Sequence, residues 1–282
     1  MQYVVELRSL ADRVEMAEGV TMPRLGVGTY KSREGYEVEH EVSWALEIGY
    51  RGVDTAAMYE NEDGVGRAIR SSGIPREELF VATKVWNSDQ GYASTHAAFR
   101  ASLRKLALDY VDLYLVHWPI PSLMEDTWRA MQEIRESGAA RAIGVCNFLP
   151  HHLERLLSFA DVPPAVDQVE FHPGLQQRQL MWFLHDRGIV QQAWAPVMRG
   201  RVFGIPTLVE IGERHGKTPA QVSIRWILQK GITTIPKSVH RERLAENADV
   251  FDFELSDEEM AAIDDLDRAE RLGPHPDRYG GR

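Results

Sequence analysis

The sequence predicts an α/β fold: a single (β/α)8 TIM barrel with an N-terminal hairpin and an extra C-terminal helix. Three observations carry this. Short apolar runs alternate eight times with amphipathic segments. A length of 282 residues suits eight β/α units in a closed barrel better than an open sheet. Gly49, Gly138, Gly188 and Gly231 each follow a helical pattern, where a left-handed C-terminal residue is expected.

Residues 3–22 are expected to form the hairpin ahead of the barrel. The strand candidates are 24–28 (RLGVG), 51–54 (RGVD), 79–84 (LFVATK), 111–117 (VDLYLVH), 141–147 (RAIGVCN), 166–170 (VDQVE), 188–194 (GIVQQAW) and 231–238 (GITTIPKS). Several are too apolar and β-branched for one-sided strands, so they read as strands covered on both faces. Among the helical segments, 37–48 place Val38, Val42, Ala45 and Leu46 on one face. Residues 94–107 repeat Ala98, Ala101, Leu103 and Leu106, and 124–136 bring Trp128, Met131 and Ile134 together. Segments 151–158, 176–186, 207–214, 218–229 and 241–248 also fit the helical period. Residues 256–266 and the tail from Arg268 are additional. The chain has no internal repeat, low-complexity region or Pro/Gly/Ser linker, so residues 1–282 are read as one domain.

Hydrophobic residues at 44% and charged residues at 26% are ordinary globular composition. The net charge of −10 argues against a nucleic-acid partner, because phosphate contacts need clustered cations. A local basic pocket stays open. The one cysteine, Cys146, allows no intrachain disulfide and suits a reducing compartment. No secretory signal or run of about 18 apolar residues is visible, so a cytoplasmic protein with no membrane partner is expected.

In a barrel of this kind the chemistry sits at the C-terminal ends of the strands. Asp54 ends RGVD, Tyr59 follows in the next loop, Lys84 ends LFVATK, and His117 ends VDLYLVH. Taken singly, each has an ordinary reading: a loop cap, surface filler, a solvated charge and a satisfied core histidine. Their coincidence changes the weighing, since three consecutive β/α units place ionisable groups on one face. A tyrosine hydroxyl, with pKa about 10, is a weak acid. A nearby ammonium stabilises phenolate and is expected to lower that pKa. A carboxylate beside the lysine keeps it charged, and a histidine beside the tyrosine can orient a substrate oxygen. Such a group could protonate a carbonyl oxygen as it becomes an alkoxide.

The stretches GVDTAAMYENEDGVGRAI, FVATKVWN, DLYLVHWP, IGVCNF, QVEFHP and TIPKSVHRERLAEN closely resemble the aldo-keto reductases. They are most similar to the bacterial branch that includes 2,5-diketo-D-gluconate reductases. The resemblance runs from about residue 21 to residue 266, with six separated motifs in order. It implies that Tyr59 is the proton donor, that Lys84 and Asp54 tune it, and that His117 orients the carbonyl. It also implies hydride transfer from a reduced nicotinamide to the carbonyl carbon.

Generic dinucleotide motifs fail here. Gly26-Val27-Gly28 and Gly64-Val65-Gly66 both lack the third glycine of a Rossmann turn. Barrels instead bind phosphates through loops after strands seven and eight. Residues 235–243 (IPKSVHRER) leave the eighth strand and open a helix, whose start favours anions. Lys237 and Arg243 add cations there, and Ser238 adds a hydroxyl. A basic first turn on a solvated helix is the other reading. The resemblance implies that these three contact the 2′-phosphate of NADPH and that Glu246 and Asn247 surround the adenine. Asn147 and Gln168, at the ends of strands five and six, could simply satisfy loop backbone; the resemblance makes them partners of the nicotinamide carboxamide. Trp194 falls where the family places an aromatic ring against the nicotinamide. The family commonly has Ser or Thr where this chain has Cys146. A thiol is a weak donor, so one carboxamide contact is expected to be weaker. Cys146 is read as filler in the cofactor site, not as a nucleophile.

Tyr30, Trp86 and Trp118 could be rim packing; the resemblance places them around the substrate carbonyl. The short stretch after Trp118 and the short polar tail after Leu272 point to an open pocket, which favours small or hydrophilic carbonyls over steroids. The expected partner is a small-molecule carbonyl, with the chain a monomer and no metal assigned. Two other functions share the barrel. A Schiff-base aldolase would use Lys84 as nucleophile. A redox-silent NADPH-binding or sensing protein would bind the cofactor without turnover.

Overall fold

The structure, a computed structural model, describes residues 6–16 and 19–279. Strands β1 (Arg13–Glu15) and β2 (Thr21–Pro23) pair antiparallel as the expected hairpin, shorter than the 3–22 span of the sequence reading. Residues 3–5, 17 and 18 of that span lie outside the described residues. Eight parallel strands follow: β3 (Val27–Gly28), β4 (Gly52–Asp54), β5 (Phe80–Val85), β6 (Val111–Val116), β7 (Ala140–Cys146), β8 (Val166–Glu170), β9 (Val190–Trp194) and β10 (Thr233–Thr234). They pair in chain order. The ring closes where Leu25 bridges Thr234, with Gly26 N donating to Thr234 O at 2.9 Å and Thr234 N to Arg24 O at 2.9 Å.

The helices are α1 (Tyr36–Ile48), α2 (Glu62–Ser71), α3 (Tyr92–Leu106), α4 (Met124–Glu136), α5 (Pro150–Leu157), α6 (Arg178–His185), α7 (Pro206–His215), α8 (Pro219–Gln229), α9 (Arg241–Ala248) and α10 (Asp257–Asp264). The four glycines expected in left-handed conformations all have positive φ. Helix α2 is the one the sequence reading missed. Its Gly64 and Gly66 break the helical signal, and each costs about 1 kcal/mol relative to alanine. Packing explains them. A Cβ on Gly66 would sit 2.2 Å from the Leu106 carbonyl oxygen, and one on Gly64 would sit 2.4 Å from a Val38 methyl. The glycines let α2 lie against α1 and the end of α3.

Strand alternation positions the site. Phe80 and Ala82 of β5 join Leu113, Leu115, Ala142 and Val166 in an interior cluster floored by Met16 and Met22 of the hairpin. Their alternates Val81 and Val85 face the helix-covered outer core. Period two then turns Lys84, His117, Cys146 and Gln168 inward, one step above the apolar floor. The barrel interior thus runs from methionine and leucine at the bottom to ionisable groups at the mouth.

Gly66→Ala is expected to lower stability by about 1–3 kcal/mol through overpacking. Gly204, with open space around its Cα, is the control. Urea midpoints of the two alanine variants check this.

Candidate active site

Lys84 lies fully buried near the top of the barrel. Its ammonium has three N–H groups and three acceptors: Asp54 Oδ1 at 2.5 Å, the Thr55 carbonyl at 2.9 Å and the Tyr59 hydroxyl at 3.3 Å. Burial pulls its pKa down, but Asp54, Tyr59 and Cys146 together outweigh that and hold it above the ordinary lysine value. Asp54 Oδ2 accepts from Gln168 Nε2 at 2.7 Å, and the same amide donates to Gln192 Oε1 at 2.7 Å. One network therefore ties β4, β5, β8 and β9 together.

Tyr59 sits in a short 3-10 turn, Ala57–Tyr59, directly after β4. Its ring lies 5.7 Å from that of His117 and 5.0 Å from that of Tyr30. Burial pushes its phenol above the ordinary range; Lys84 pulls it down, while Asp54 pushes it up again. The expected acidification is thus overturned in the resting site. The carboxylate that pairs with the ammonium cancels part of its pull, and loss of hydration outweighs the rest.

His117 is buried, and burial followed by the Lys84 charge holds its imidazole well below the usual pKa. It is therefore neutral, and its Nδ1 has no hydrogen-bond partner. Burial also pushes the Cys146 thiol well above its usual value, so it stays protonated and a poor nucleophile.

These groups open on a cavity of about 440 Å³ lined by Tyr30, Asp54, Tyr59, His117, Trp118, Cys146, Asn147, Gln168 and Trp194, among others. A second cavity of about 480 Å³ is lined by Lys237, Ser238, Arg243, Glu246 and Asn247. Val197, Arg199 and Lys237 line both, so the two form one groove from the barrel mouth to the start of α9.

Most residues singled out in the sequence therefore meet along this groove. Lys84 and Trp86 line neither cavity: Lys84 is fully buried and touches the groove through Tyr59, and Trp86 stands behind the site with its ring 5.0 Å from His117. Ser238 is buried, and its hydroxyl oxygen accepts from the His240 N–H at 3.2 Å. Asn147 Nδ2 donates to the His117 carbonyl at 3.0 Å and to Cys146 Sγ at 3.2 Å, while Asn147 Oδ1 accepts from Trp194 Nε1 at 3.0 Å. Both N–H groups of Asn147 and of Gln168 are thus occupied. Their spare capacity is on oxygen, which matches the NH2 half of a primary amide.

The tail corrects the open-pocket reading. Leu272 N and Gly273 N donate to Glu170 at 2.6 and 3.2 Å, and Asp277 meets His151 and His152 at 2.9 and 3.2 Å. Gly273, Pro274 and Tyr279 then line the cavity, with the Tyr279 ring 4.4 Å from Trp118. A short polar tail carries no periodic signal, so only the fold places Tyr279. Arg199 was also missed. Its signal was available: a cation in the loop after the seventh barrel strand, where barrels hold phosphates.

Residues 24–268 match the profile of the Aldo/keto reductase family. The chain belongs to that family. It is 52% identical over 269 residues to the glyoxal reductase of Bacillus subtilis (strain 168), covering 95% of this chain and 98% of the relative. It is 44% identical over 272 residues to the methylglyoxal reductase DkgA of Escherichia coli (strain K12), covering 95% and 98%. The crystal structure of a Gox0644 mutant in complex with NADPH superposes with a TM-score of 0.90 at 42% identity, covering 95% of this chain and 98% of that one. Among the described residues of this aldo/keto reductase, no helix is long and apolar enough to cross a membrane.

Lys84→Met leaves Asp54 as an unpaired buried carboxyl and is expected to destabilise the fold by about 3–5 kcal/mol. Chemical denaturation monitored by tryptophan fluorescence measures the loss.

Proposed function

We propose that this aldo/keto reductase uses NADPH to reduce aldehydes and ketones, small or polar carbonyls such as keto-sugars or methylglyoxal, to alcohols. Tyr59 is the proton donor. The observation that carries the reading is the Tyr59 hydroxyl, 3.3 Å from a buried ammonium and facing the same cavity as a neutral histidine. The likeness to bacterial glyoxal and methylglyoxal reductases supports the substrate class.

The residues along the groove fit the cofactor. Lys237 and Arg243 form a cationic end beside the start of α9, where a 2′-phosphate would sit, with Glu246 and Asn247 beside the adenine. Arg199, lining both cavities, stands where a pyrophosphate would cross. Trp194, Asn147 and Gln168 surround the other end with one ring face and acceptor oxygens suited to a carboxamide. Bound there, the reduced nicotinamide supplies the hydride.

The chain's own groups do the rest. His117, neutral, can donate one hydrogen bond to the carbonyl oxygen and so orient it over the cavity floor. Tyr59, kept as a phenol by burial, holds its proton until the oxygen becomes an alkoxide, a far stronger base than a phenolate. It then gives up that proton, and the Lys84 ammonium stabilises the phenolate left behind. Asp54, held by Gln168, keeps Lys84 charged and aimed. The same geometry argues against a Schiff-base aldolase. All three N–H groups of Lys84 are engaged and its proton is held tightly, so no lone pair is free to attack a carbonyl.

Tyr59→Phe is expected to lower kcat for methylglyoxal reduction by about 10²–10⁴-fold while NADPH affinity stays near normal. NADPH oxidation at 340 nm and fluorescence titration read the two quantities. Retained turnover removes Tyr59 from its role, and NADPH binding without turnover in the wild type returns the sensing reading. Lys237→Ala with Arg243→Ala should weaken NADPH by at least about tenfold more than NADH. Equal losses for the two cofactors would mean that the 2′-phosphate sits elsewhere.

A further inference from the structure

Glu41 lies on the inner face of α1, fully buried, and the chemistry above makes no use of it. Its two oxygens serve two different loops. Oε1 accepts from the backbone N–H of Ser238 at 3.2 Å, and Oε2 accepts from the Ser32 hydroxyl. The first loop carries Lys237 and Ser238 at the cationic end of the groove. The second follows β3 and carries Tyr30 and Lys31, which line the cavity beside Tyr59. Asn61 pins that second loop from below, donating to the Thr29 and Ser32 carbonyls at 2.9 and 3.0 Å. Both donors to Glu41 are neutral groups. A buried carboxylate held only by neutral donors is costly, and a hydrophobic residue or an amide would fill the same space without a charge.

We propose that Glu41 is a positioning residue that ties the Tyr30 loop to the Lys237 loop and whose buried carboxylate loosens the grip on the cofactor's 2′-phosphate. The proposal rests on the phosphate-end reading given above. Held under the same loop as Lys237, an ionised Glu41 opposes a second anion there, so it sets how readily the phosphorylated cofactor exchanges. Burial pushes this carboxyl up to about 7, against the opposing pull of the Ser32 hydroxyl, Lys237 and the Ser238 N–H; Glu37 pushes it further up. Below that pH the side chain is a neutral acid that leaves the loop more cationic. Above it the carboxylate repels the phosphate, so affinity for NADPH falls as pH rises through neutrality while affinity for NADH is indifferent to this group. The other charged or titratable groups facing this end are Lys237, His240, Arg243 and Glu246 from the loop and α9, Arg199 from the loop after β9, and Glu37 from α1.

Glu41→Gln separates the two roles. Its amide oxygen can accept from Ser238 N–H while its NH2 donates to Ser32 Oγ, so the tie persists and the charge is gone. Glu41→Leu removes the tie and the charge together. Fluorescence titrations with NADPH and NADH between about pH 6 and pH 8 test this for the wild type, both variants and Lys237→Ala. Glu41→Gln should bind NADPH about three- to tenfold more tightly at the upper pH, with a flatter pH profile and unchanged NADH affinity. Glu41→Leu should raise both the NADPH Kd and the KM for methylglyoxal. A Glu41→Gln protein that matches the wild type at every pH, or that shifts both cofactors equally, overturns the proposal. If Lys237→Ala has lost its preference for NADPH in the same experiment, only the Glu41 proposal fails; if it has kept that preference, the phosphate-end reading fails with it. Should Glu41→Gln not fold, wild-type calorimetric titrations in buffers of different ionisation enthalpy decide the matter near neutral pH. Proton uptake with NADPH but not NADH supports the proposal, and equal proton traffic overturns it.

Discussion

Asp54 and Lys84 meet inside the barrel, nearly stripped of water, and the mouth is organised around that contact. An unpaired ammonium at this depth would shed its proton, because a charge in a poorly hydrated interior is penalised by several kcal/mol. The carboxylate and the Thr55 carbonyl make the charge tenable. Gln168 and Gln192 extend the network to the strands opposite. The third N–H of Lys84 is aimed at Tyr59, so a positive charge stands beside the hydroxyl proposed as the proton donor. Breaking the pair would disturb four strands at once.

The same pair explains why the phenol is not a strong acid at rest. Burial favours the uncharged phenol at Tyr59, and Asp54 offsets part of the opposing pull of Lys84. This suits the proposed role of Tyr59 as donor: a phenol that released its proton early would have none left for an alkoxide, and in that proposal the Lys84 charge acts on the phenolate that remains. His117 is governed by the same surroundings: little water and a nearby cation keep it neutral, able to donate one hydrogen bond and accept another.

Around this core the groove is assembled from distant parts of the chain. The Tyr30 loop, the loop after β9 that carries Arg199, the Lys237 loop and the tail after Leu272 each contribute one wall. Aromatic rings gather near His117 and cations near α9, which suits a molecule with a flat neutral ring at one end and phosphates at the other. The tail joins because Glu170 accepts two of its backbone N–H groups. It lies close because Gly273 has no Cβ to strike Trp194, where a Cβ would come within 2.5 Å of the ring.

Much of this was legible in the residues themselves. The eight strands announced themselves because both faces of a barrel strand are buried, leaving short apolar runs between amphipathic helices. The period of two placed Lys84, His117 and Gln168 on the inward face once the strand ends were known. Helix α2 was not legible, because Gly64 and Gly66 serve contacts with Val38 and Leu106 that no local pattern records. The chain alone determined the barrel, the chemical groups at its mouth and the cationic loop before α9, since each follows from local periodicity and residue type. Only the tertiary structure decided that Trp86 backs the site, that the tail walls it, that Glu41 joins two loops and that burial outweighs the ammonium at Tyr59. These depend on which residues distant in sequence exclude water from one another, and that is a property of the packed chain.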